Sequence, residues 1–161
     1  MRISLRAENG ADEPFLHRLV IETVTQELAA ESWPEPMRSH LTSLQYAARR
    51  QAVRTHFPDG HSRIILVDDR EAGWLFFACL ADEVRLVEIM ILVEFRGRGI
   101  GSMVIRCLIE NAGDKPVRLL VNVMNSRATH LYEQLGFRRV GGNEVQHLME
   151  YHPNCKDVRN E

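Results

Sequence analysis

The residues best suited to chemistry begin in a glycine-rich loop near the middle of the chain. Gly97, Gly99 and Gly101 alternate with larger residues, after an apolar run and before a helical pattern. Because glycine has no side chain, backbone N–H groups can come close to a ligand there, and a helix N-terminus favours negative charge. Arg96 and Arg98 add positive charge at the rim. The loop is therefore predicted to bind a phosphate or pyrophosphate group.

The spacing of the glycines narrows the choice of ligand. A dinucleotide fingerprint has glycines at relative positions one, three and six, and the sixth position counted from Gly97 is Ser102. A P-loop needs Gly-Lys followed by Ser or Thr, and the sequence contains no such triplet. What is present is Arg-x-x-Gly-x-Gly, formed by Arg96, Gly99 and Gly101. A dinucleotide-binding domain is therefore disfavoured.

A second set of chemically informative residues follows one helix and one strand later. Asn125, Ala128, Tyr132, Gly136 and Phe137 are spaced as Asn-x-x-Ala-x-x-x-Tyr-x-x-x-Gly-Phe. An amphipathic helix that ends at a glycine explains part of this pattern. It does not require an asparagine before the helix, nor does it require both motifs in this order.

Together the two motifs resemble those of the GNAT superfamily of acyl-CoA-dependent N-acetyltransferases. The pyrophosphate loop of that family reads Arg/Gln-x-x-Gly-x-Gly/Ala, and the second motif matches at every specified position. The resemblance is firm over roughly residues 84–140, which contain both motifs. For the rest of the chain it rests on the order of the predicted helices and strands. It implies acetyl-CoA as co-substrate, no metal, and transfer of an acetyl group to a primary amine by direct attack.

The resemblance also implies how the donor binds. The glycine loop would hold the pyrophosphate through backbone N–H groups, while the pantetheine arm would pair with the exposed backbone of the preceding strand end and with Asn125. An N–H group near Ile91 would donate to the thioester carbonyl. The implied donor-binding residues are Ile91, Leu92, Val93, Arg96, Gly97, Arg98, Gly99, Ile100, Gly101, Ser102 and Asn125.

Two residues are candidates for moving protons. Glu88 is a carboxylate in an otherwise apolar strand, so burial is predicted to raise its pKa towards the range of a general base. A structural ion pair of Glu88 with Arg85 or Arg118 is the alternative. By the resemblance, Tyr132 would protonate the departing thiolate; a core tyrosine is the alternative there. Weaker candidates for the base are His130 and His147.

The elements that must position these residues indicate an α/β (α+β) fold. The resemblance implies a single GNAT-like domain over residues 1–151, followed by a polar tail over residues 152–161. Its mixed, mostly antiparallel sheet of six to seven strands would be flanked by about four helices. Splayed central strands would form the acetyl-CoA cleft. Residues 84–93 are predicted as a central strand, and residues 141–143 as a turn.

Two helices are predicted before the middle strands. The first ends near Ala30, and the second runs from Met37 to about His56. By the resemblance, this segment shapes the acceptor pocket; core or surface packing is the alternative for each aromatic residue. The candidates to line the pocket are Trp33, Gln45, Tyr46 and Arg49. The predicted apolar face of the second helix is Met37, Leu41, Leu44 and Ala48.

The composition of the 161-residue chain is ordinary for a globular protein, with 45% apolar and 26% charged residues. A net charge of −2 gives no reason to expect a nucleic-acid or membrane partner. No signal-peptide core is visible at the start, so a cytoplasmic protein is expected. Cys79, Cys107 and Cys155 are predicted to be reduced thiols, and the first two are predicted to lie in the core.

The sequence leaves several functional questions open. A non-catalytic acyl-CoA-binding regulatory module is the alternative to an enzyme, and it would need neither Tyr132 nor Glu88. The acceptor can be a small-molecule or a peptide amine, and the donor can carry a longer acyl group. A homodimer is also left open.

Overall fold

The computed structural model describes residues 1–153, so Cys155 and most of the predicted tail lie outside the described residues. Within these described residues there are seven strands: β1 Ile3–Ala7, β2 His61–Val67, β3 Arg70–Cys79, β4 Val84–Ile91, β5 Val117–Asn122, β6 Arg138–Gly142 and β7 Gln146–Tyr151. The four α-helices are α1 Glu13–Glu27, α2 Met37–His56, α3 Ile100–Ala112 and α4 Ser126–Gln134.

The strands form one sheet in the order β1-β2-β3-β4-β5-β7-β6. Pairing is parallel between β4 and β5 and antiparallel in the pairs β1–β2, β5–β7 and β6–β7. Four helices with a mostly antiparallel seven-stranded sheet confirm the predicted fold class. The central position of β4 also agrees with its two apolar faces.

Residues 1–76 and 88–100 form one compact unit. Helix α1 begins after a 3-10 turn that Asn9 caps, and it has proline in its first turn. The Arg6 guanidinium is hydrogen-bonded to the buried Asp12, which holds the pKa of that carboxyl below its ordinary value. The apolar side chains that α1 buries are Phe15, Leu16, Leu19, Val20 and Val24.

The buried face of α2 differs from the predicted one. Met37 and Leu44 are 48% and 53% exposed, whereas the buried residues are Thr42, Tyr46, Arg50 and Val53. Two polar members of this face have partners from distant parts of the chain: the Tyr46 hydroxyl donates to Glu13, and Arg50 donates to Glu8. Polar side chains with hydrogen-bond partners occur in protein interiors, so hydrophobic periodicity alone predicted the wrong face.

Residues 77–87 and 101–153 form the second compact unit. Helix α3 ends at Ala112, before Gly113 with its left-handed φ of 63°, as the predicted glycine stop requires. Strands β4 and β5 pair only between Val84–Leu86 and Val117–Leu119. Pairing therefore ends after three residues of each strand, in agreement with the predicted splaying of the central strands.

Three further details correct the sequence predictions. Strand β4 ends at Ile91 instead of Val93, because the chain turns into a 3-10 helix over Val93–Phe95 that buries Phe95. Residues 141 and 142 belong to β6, and the following turn is held by Asn143 Oδ1, which accepts from two backbone N–H groups. Cys79 and Cys107 are exposed free thiols, not core residues, because both lie at positions that face solvent.

Candidate donor and acceptor site

The loop that follows β4 contains one buried anchor residue, Phe95, whose surface is only 4% exposed. The guanidinium carbons of Arg70 and Arg98 lie 5.3 and 5.7 Å from the centroid of its ring. Such cation–π contacts fix the orientation of both arginines near the loop. Positive charge is therefore present beside the predicted phosphate site, in the form of Arg98 and its neighbour Arg70.

Arg96 has a different role from the one that the sequence suggested. Its Nε donates to the carbonyl oxygen of Ile91 at 2.7 Å, and its Nη1 donates to the side-chain oxygen of Gln26 on α1. The guanidinium thus ties the end of β4 to α1. It still contributes a positive charge near the loop, but its Nε and Nη1 groups bind within the protein.

The three loop glycines differ in why they must be glycine. Gly97 and Gly99 have left-handed φ values of 73° and 75°, which other residues adopt only with strain. Gly101 has no such φ, and a Cβ atom built on any of the three would meet no atom within 4 Å. Nothing in the described protein therefore requires glycine at position 101. A ligand lying close to the backbone would explain it.

The backbone predicted to pair with the pantetheine arm is partly occupied. The Leu92 N–H donates to the Ala72 carbonyl at 2.9 Å. The Val93 N–H donates to Glu22 Oε1 on α1 at 2.6 Å, and the Ile91 carbonyl accepts from Arg96. The prediction of an exposed edge is therefore wrong for these groups, because the β3 backbone and side chains from α1 and the loop bind them.

Glu88 lies half-buried on β4. Desolvation raises its pKa from 4.5 to about 6; the positive charge of Arg49 acts against this rise, and the negative charge of Glu27 adds to it. Arg49 and Glu27 also form an ion pair. Of the predicted acceptor-side residues, Arg49 therefore acts electrostatically on Glu88, whereas Tyr46 is a core residue whose ring packs edge-on against His17 at 4.9 Å.

The arginines considered as alternative partners of Glu88 are bound elsewhere. Arg85 donates to Glu83 at 3.1 and 3.2 Å, and Arg118 donates to Glu150 at 2.7 Å. These ion pairs belong to the second unit. The alternative in which Glu88 only serves to neutralise Arg85 or Arg118 is therefore not supported.

In the second unit, Tyr132 lies on α4 and packs against Phe137, with ring centroids 5.6 Å apart. Phe137 also contacts the ring of Tyr151 at 5.8 Å. Asn125 caps α4, because its Oδ1 accepts from the Ala128 N–H at 3.1 Å. The asparagine of the second motif thus has a structural role that the sequence analysis did not identify.

Other residues complete the description of the candidate site. His147 has a buried Nδ1 without a partner among the described residues, and His130 is exposed. Glu22 and Gln26 contact the donor edge but were not predicted, since exposed polar positions on an amphipathic helix give no sequence signal. Over residues 1–153, no three His, Cys, Asp or Glu side chains are grouped to hold a metal ion. No helix in that range could span a membrane.

Comparison with solved structures identifies the fold. PaiA N-acetyltransferase from Thermoplasma acidophilum, solved with coenzyme A, superposes with a TM-score of 0.71 at 18% identity over 94% of this chain and 99% of that one. Spermidine N-acetyltransferase from Vibrio cholerae, solved with CoA and spermine, gives a TM-score of 0.62 at 20% identity over 94% and 96%. The fold is that of the N-acetyltransferases.

Sequence comparison gives the family. The model of the acetyltransferase (GNAT) domain matches residues 58–139. The chain belongs to this GNAT acetyltransferase family, which confirms the family predicted from the two motifs. A curated relative, the ribosomal protein bS18-alanine N-acetyltransferase of Salmonella typhimurium, is 33% identical over 95 residues. That match spans 57% of this chain and 61% of the relative's length.

Proposed function

We propose that the chain is an enzyme that transfers an acetyl group from acetyl-CoA to a primary amine, with residues 1–151 acting as one domain. The observation that carries the proposal is the glycine loop. Gly97 and Gly99 are left-handed, the space above all three glycines is open, and α3 begins at Ile100. In a GNAT family member, such a helix N-terminus suits the pyrophosphate of acetyl-CoA.

The remaining donor contacts follow from the groups near the loop. Arg98 supplies positive charge beside the phosphates. The backbone of Ile91 to Val93 pairs with the amides of the pantetheine arm once its present side-chain partners have moved. Asn125 binds the arm through its Nδ2 group, since its Oδ1 accepts from the Ala128 N–H at the start of α4. The donor thus contacts the protein largely through backbone groups.

The proposed chemistry removes two protons from the acceptor nitrogen and delivers one to the departing sulfur. Glu88, with a pKa of about 6, takes the proton from the acceptor ammonium, directly or through water, because an alkylammonium with a pKa near 10 must be deprotonated before it attacks. The amine nitrogen then bonds to the thioester carbon as the carbon–sulfur bond breaks. The thiolate receives a proton from the Tyr132 hydroxyl, and the second proton that the nitrogen must lose to become an amide leaves through water and restores the phenol. No acyl-enzyme forms in this scheme.

The acceptor is assigned only to the class of primary amines. One relative acts on an alanine of a ribosomal protein, and one structural neighbour is a spermidine acetyltransferase. Both acceptors are amines, one on a polypeptide and one on a small molecule. Because acetyl-CoA is the co-substrate and the two described cysteines are exposed free thiols, the proposal places the chain in the cytoplasm.

Ligand-dependent thermal unfolding tests the donor assignment. Acetyl-CoA at about a hundred times its Kd stabilises a protein by about 2.7 kcal/mol, which raises Tm by roughly 5–10 °C for a chain of this size. NAD and ATP serve as controls, and Gly99→Val and Gly101→Val are expected to abolish the shift. Absence of a shift with every CoA ester would refute the proposal.

An amine-panel acetylation assay distinguishes the enzyme from a non-catalytic module. Formation of acetylated product from small or peptide amines supports the enzyme. Stabilisation by acetyl-CoA without acetylation of any amine would favour the acyl-CoA-binding regulatory module instead.

A further inference from the structure

A cavity of about 380 Å³ lies in the first compact unit, away from the donor loop. Its walls come from the residues that follow β1, the start of α1, the last two turns of α2 and the start of β2. Phe76 of β3 lines the cavity, whereas Ala72 of the same strand accepts from the Leu92 N–H at the donor end. Four residues of a strand span about 13 Å. The cavity is therefore separate from the donor site, and its volume is within the range of roughly 300–1,000 Å³ that is typical of small-molecule sites.

Two of the four charged residues that line the cavity form a buried ion pair. Glu8 accepts from two guanidinium nitrogens of Arg50 and from the hydroxyl of Ser62. The side chain of Arg50 is only 7% exposed, and a buried charge needs a hydrogen-bonded partner of opposite sign. Glu8 and Arg50 therefore neutralise each other and form a polar wall of the cavity without net charge.

The other two charged residues of the cavity lie on different helices, and both are exposed. Glu13 is the first residue of α1, and its Oε1 accepts from the hydroxyl of Tyr46. Arg54 lies in the last turn of α2. Neither residue belongs to the ion pair between Glu8 and Arg50. The cavity therefore presents one carboxylate and one guanidinium, each from a different helix, to a ligand of complementary charge.

Apolar side chains line the rest of the cavity. Val53 and Phe76 are buried, at 4% and 5% exposed, and Phe57 and Pro58 follow the end of α2. A hydrocarbon group that packs against these side chains is removed from water, which favours binding. A ligand that fits all of these features has an anionic group, a cationic group and an apolar body.

We propose that this cavity binds a free α-amino acid with a large apolar side chain. The carboxylate of the amino acid binds Arg54, because a guanidinium presents two parallel N–H donors that match the two carboxylate oxygens. The ammonium group binds Glu13, and the side chain packs against Val53 and Phe76. No covalent bond forms or breaks in this cavity. The inference goes beyond the proposed acetyl transfer and does not depend on it.

Titration calorimetry of the full chain, without acetyl-CoA, tests the site with L-leucine as the probe. Isocaproate has the carboxylate and the hydrocarbon group of leucine but lacks the ammonium group, and isoamylamine lacks the carboxylate. Leucine is expected to bind with a Kd of about 0.1–1 mM. Each analogue is expected to bind about tenfold more weakly, because it loses one charge-assisted hydrogen bond.

Two variants of the chain test the same two contacts from the protein side. Arg54→Gln and Glu13→Gln are each expected to weaken leucine binding about tenfold, since each removes one charge. The glutamine at position 13 keeps an oxygen that can accept from Tyr46. Arg106→Gln and Glu110→Gln, at exposed positions of α3, are the matched controls and are expected to bind leucine as wild type does. Thermal unfolding without ligand checks that all four variants are folded.

The outcomes also separate this site from the acceptor site, where leucine, itself a primary amine, could bind as well. Leucine binding that is equally strong in wild type, Arg54→Gln and Glu13→Gln overturns the inference. So does an analogue that binds as tightly as leucine and is weakened by the same variants, because one charge would then suffice. Absence of binding by L-leucine and L-phenylalanine up to about 10 mM overturns it too. A chain that binds leucine at this cavity but binds no CoA ester would refute the proposed acetyl transfer alone.

Discussion

The guanidinium of Arg50 stacks on the indole ring of Trp74, with its Cζ 5.1 Å from the ring centroid. Glu8 binds the same guanidinium and also accepts from the hydroxyl of Ser62. That hydroxyl oxygen in turn accepts from Trp74 Nε1 at 2.7 Å. Four side chains, from α2, β2, β3 and the residue that follows β1, thus form a closed ring of contacts.

Glu8→Ala is expected to destabilise the protein by roughly 3 kcal/mol, because it leaves the buried Arg50 charge without its carboxylate. The side chain of Arg50 is only 7% exposed. Urea unfolding measures the change. Arg54→Gln, at an exposed position of the same helix, is expected to stay within about 0.5 kcal/mol of wild type. Equal stability of both variants would contradict the buried-pair interpretation.

Tyr132→Phe is expected to lower kcat by roughly 10²–10⁴-fold, the usual contribution of a general acid, while CoA still binds. The ring of Tyr132 packs against Phe137, and so does the ring of Tyr151. Tyr151→Phe is therefore a control that removes a hydroxyl from the same aromatic cluster. A Tyr132→Phe enzyme with wild-type kcat would eliminate the tyrosine as the acid.

The pH dependence of kcat reports on Glu88. With a pKa of about 6, the carboxylate is protonated below that pH and cannot act as a base. With saturating substrates, kcat is expected to fall about tenfold per pH unit below 6 and to level off above it. Glu88→Gln is expected to lower kcat roughly a hundredfold and to remove this acid limb. If kcat of Glu88→Gln still fell in the same way below pH 6, the general base would have to be another group.

Glu88 also makes a prediction about stability that does not depend on activity. Its folded-state pKa of about 6 lies above its ordinary value of 4.5, so the native state holds the proton more tightly. The resulting stabilisation is present below pH 4.5 and is lost as the pH rises through 6. Glu88→Gln is therefore expected to be more stable than wild type at pH 7, by up to about 2 kcal/mol. Urea unfolding of both proteins at pH 7 and at pH 4 measures the difference, which is expected to shrink at pH 4. A less stable variant at pH 7 would show that the ionised carboxylate has favourable contacts.

Gly101→Ala is expected to separate folding from donor binding. The added methyl group meets no atom in the free protein, and alanine favours a helix over glycine by about 0.5–1 kcal/mol. The free variant is thus expected to unfold at a slightly higher temperature but to bind CoA at least tenfold more weakly. Gly99→Ala, at a left-handed φ of 75°, is expected to lose stability without ligand. Normal CoA binding by Gly101→Ala would contradict the proposal that the pyrophosphate lies against the backbone at position 101.

Much of the donor side could be predicted because its signals are local. The limits of α3 follow from an apolar pattern that ends at Gly113, and the left-handed glycines lie inside a motif that is read directly from the sequence. The raised pKa of Glu88 also followed from one carboxylate in an apolar strand. In each case neighbouring residues along the chain contain the physical cause.

The features that sequence reasoning missed depend on partners far away in the chain. Arg50 can be buried because Glu8 binds its guanidinium and Trp74 stacks on it. The Val93 N–H has a partner because α1 places Glu22 beside it. Neither pairing leaves a periodic pattern. The early end of β4 has the same origin, since the chain bends where Phe95 enters the core.

The exposed thiols of Cys79 and Cys107 affect how the reaction can be followed. Acetyl transfer releases CoA with a free sulfhydryl, and reagents that detect this product by its sulfhydryl will also react with the protein. The folded chain therefore contributes a stoichiometric background of its own that grows with enzyme concentration. Replacing Cys79, Cys107 and Cys155 with serine removes every thiol of the chain. A single cysteine can then be restored at exposed position 79 or 107 for attaching a fluorophore.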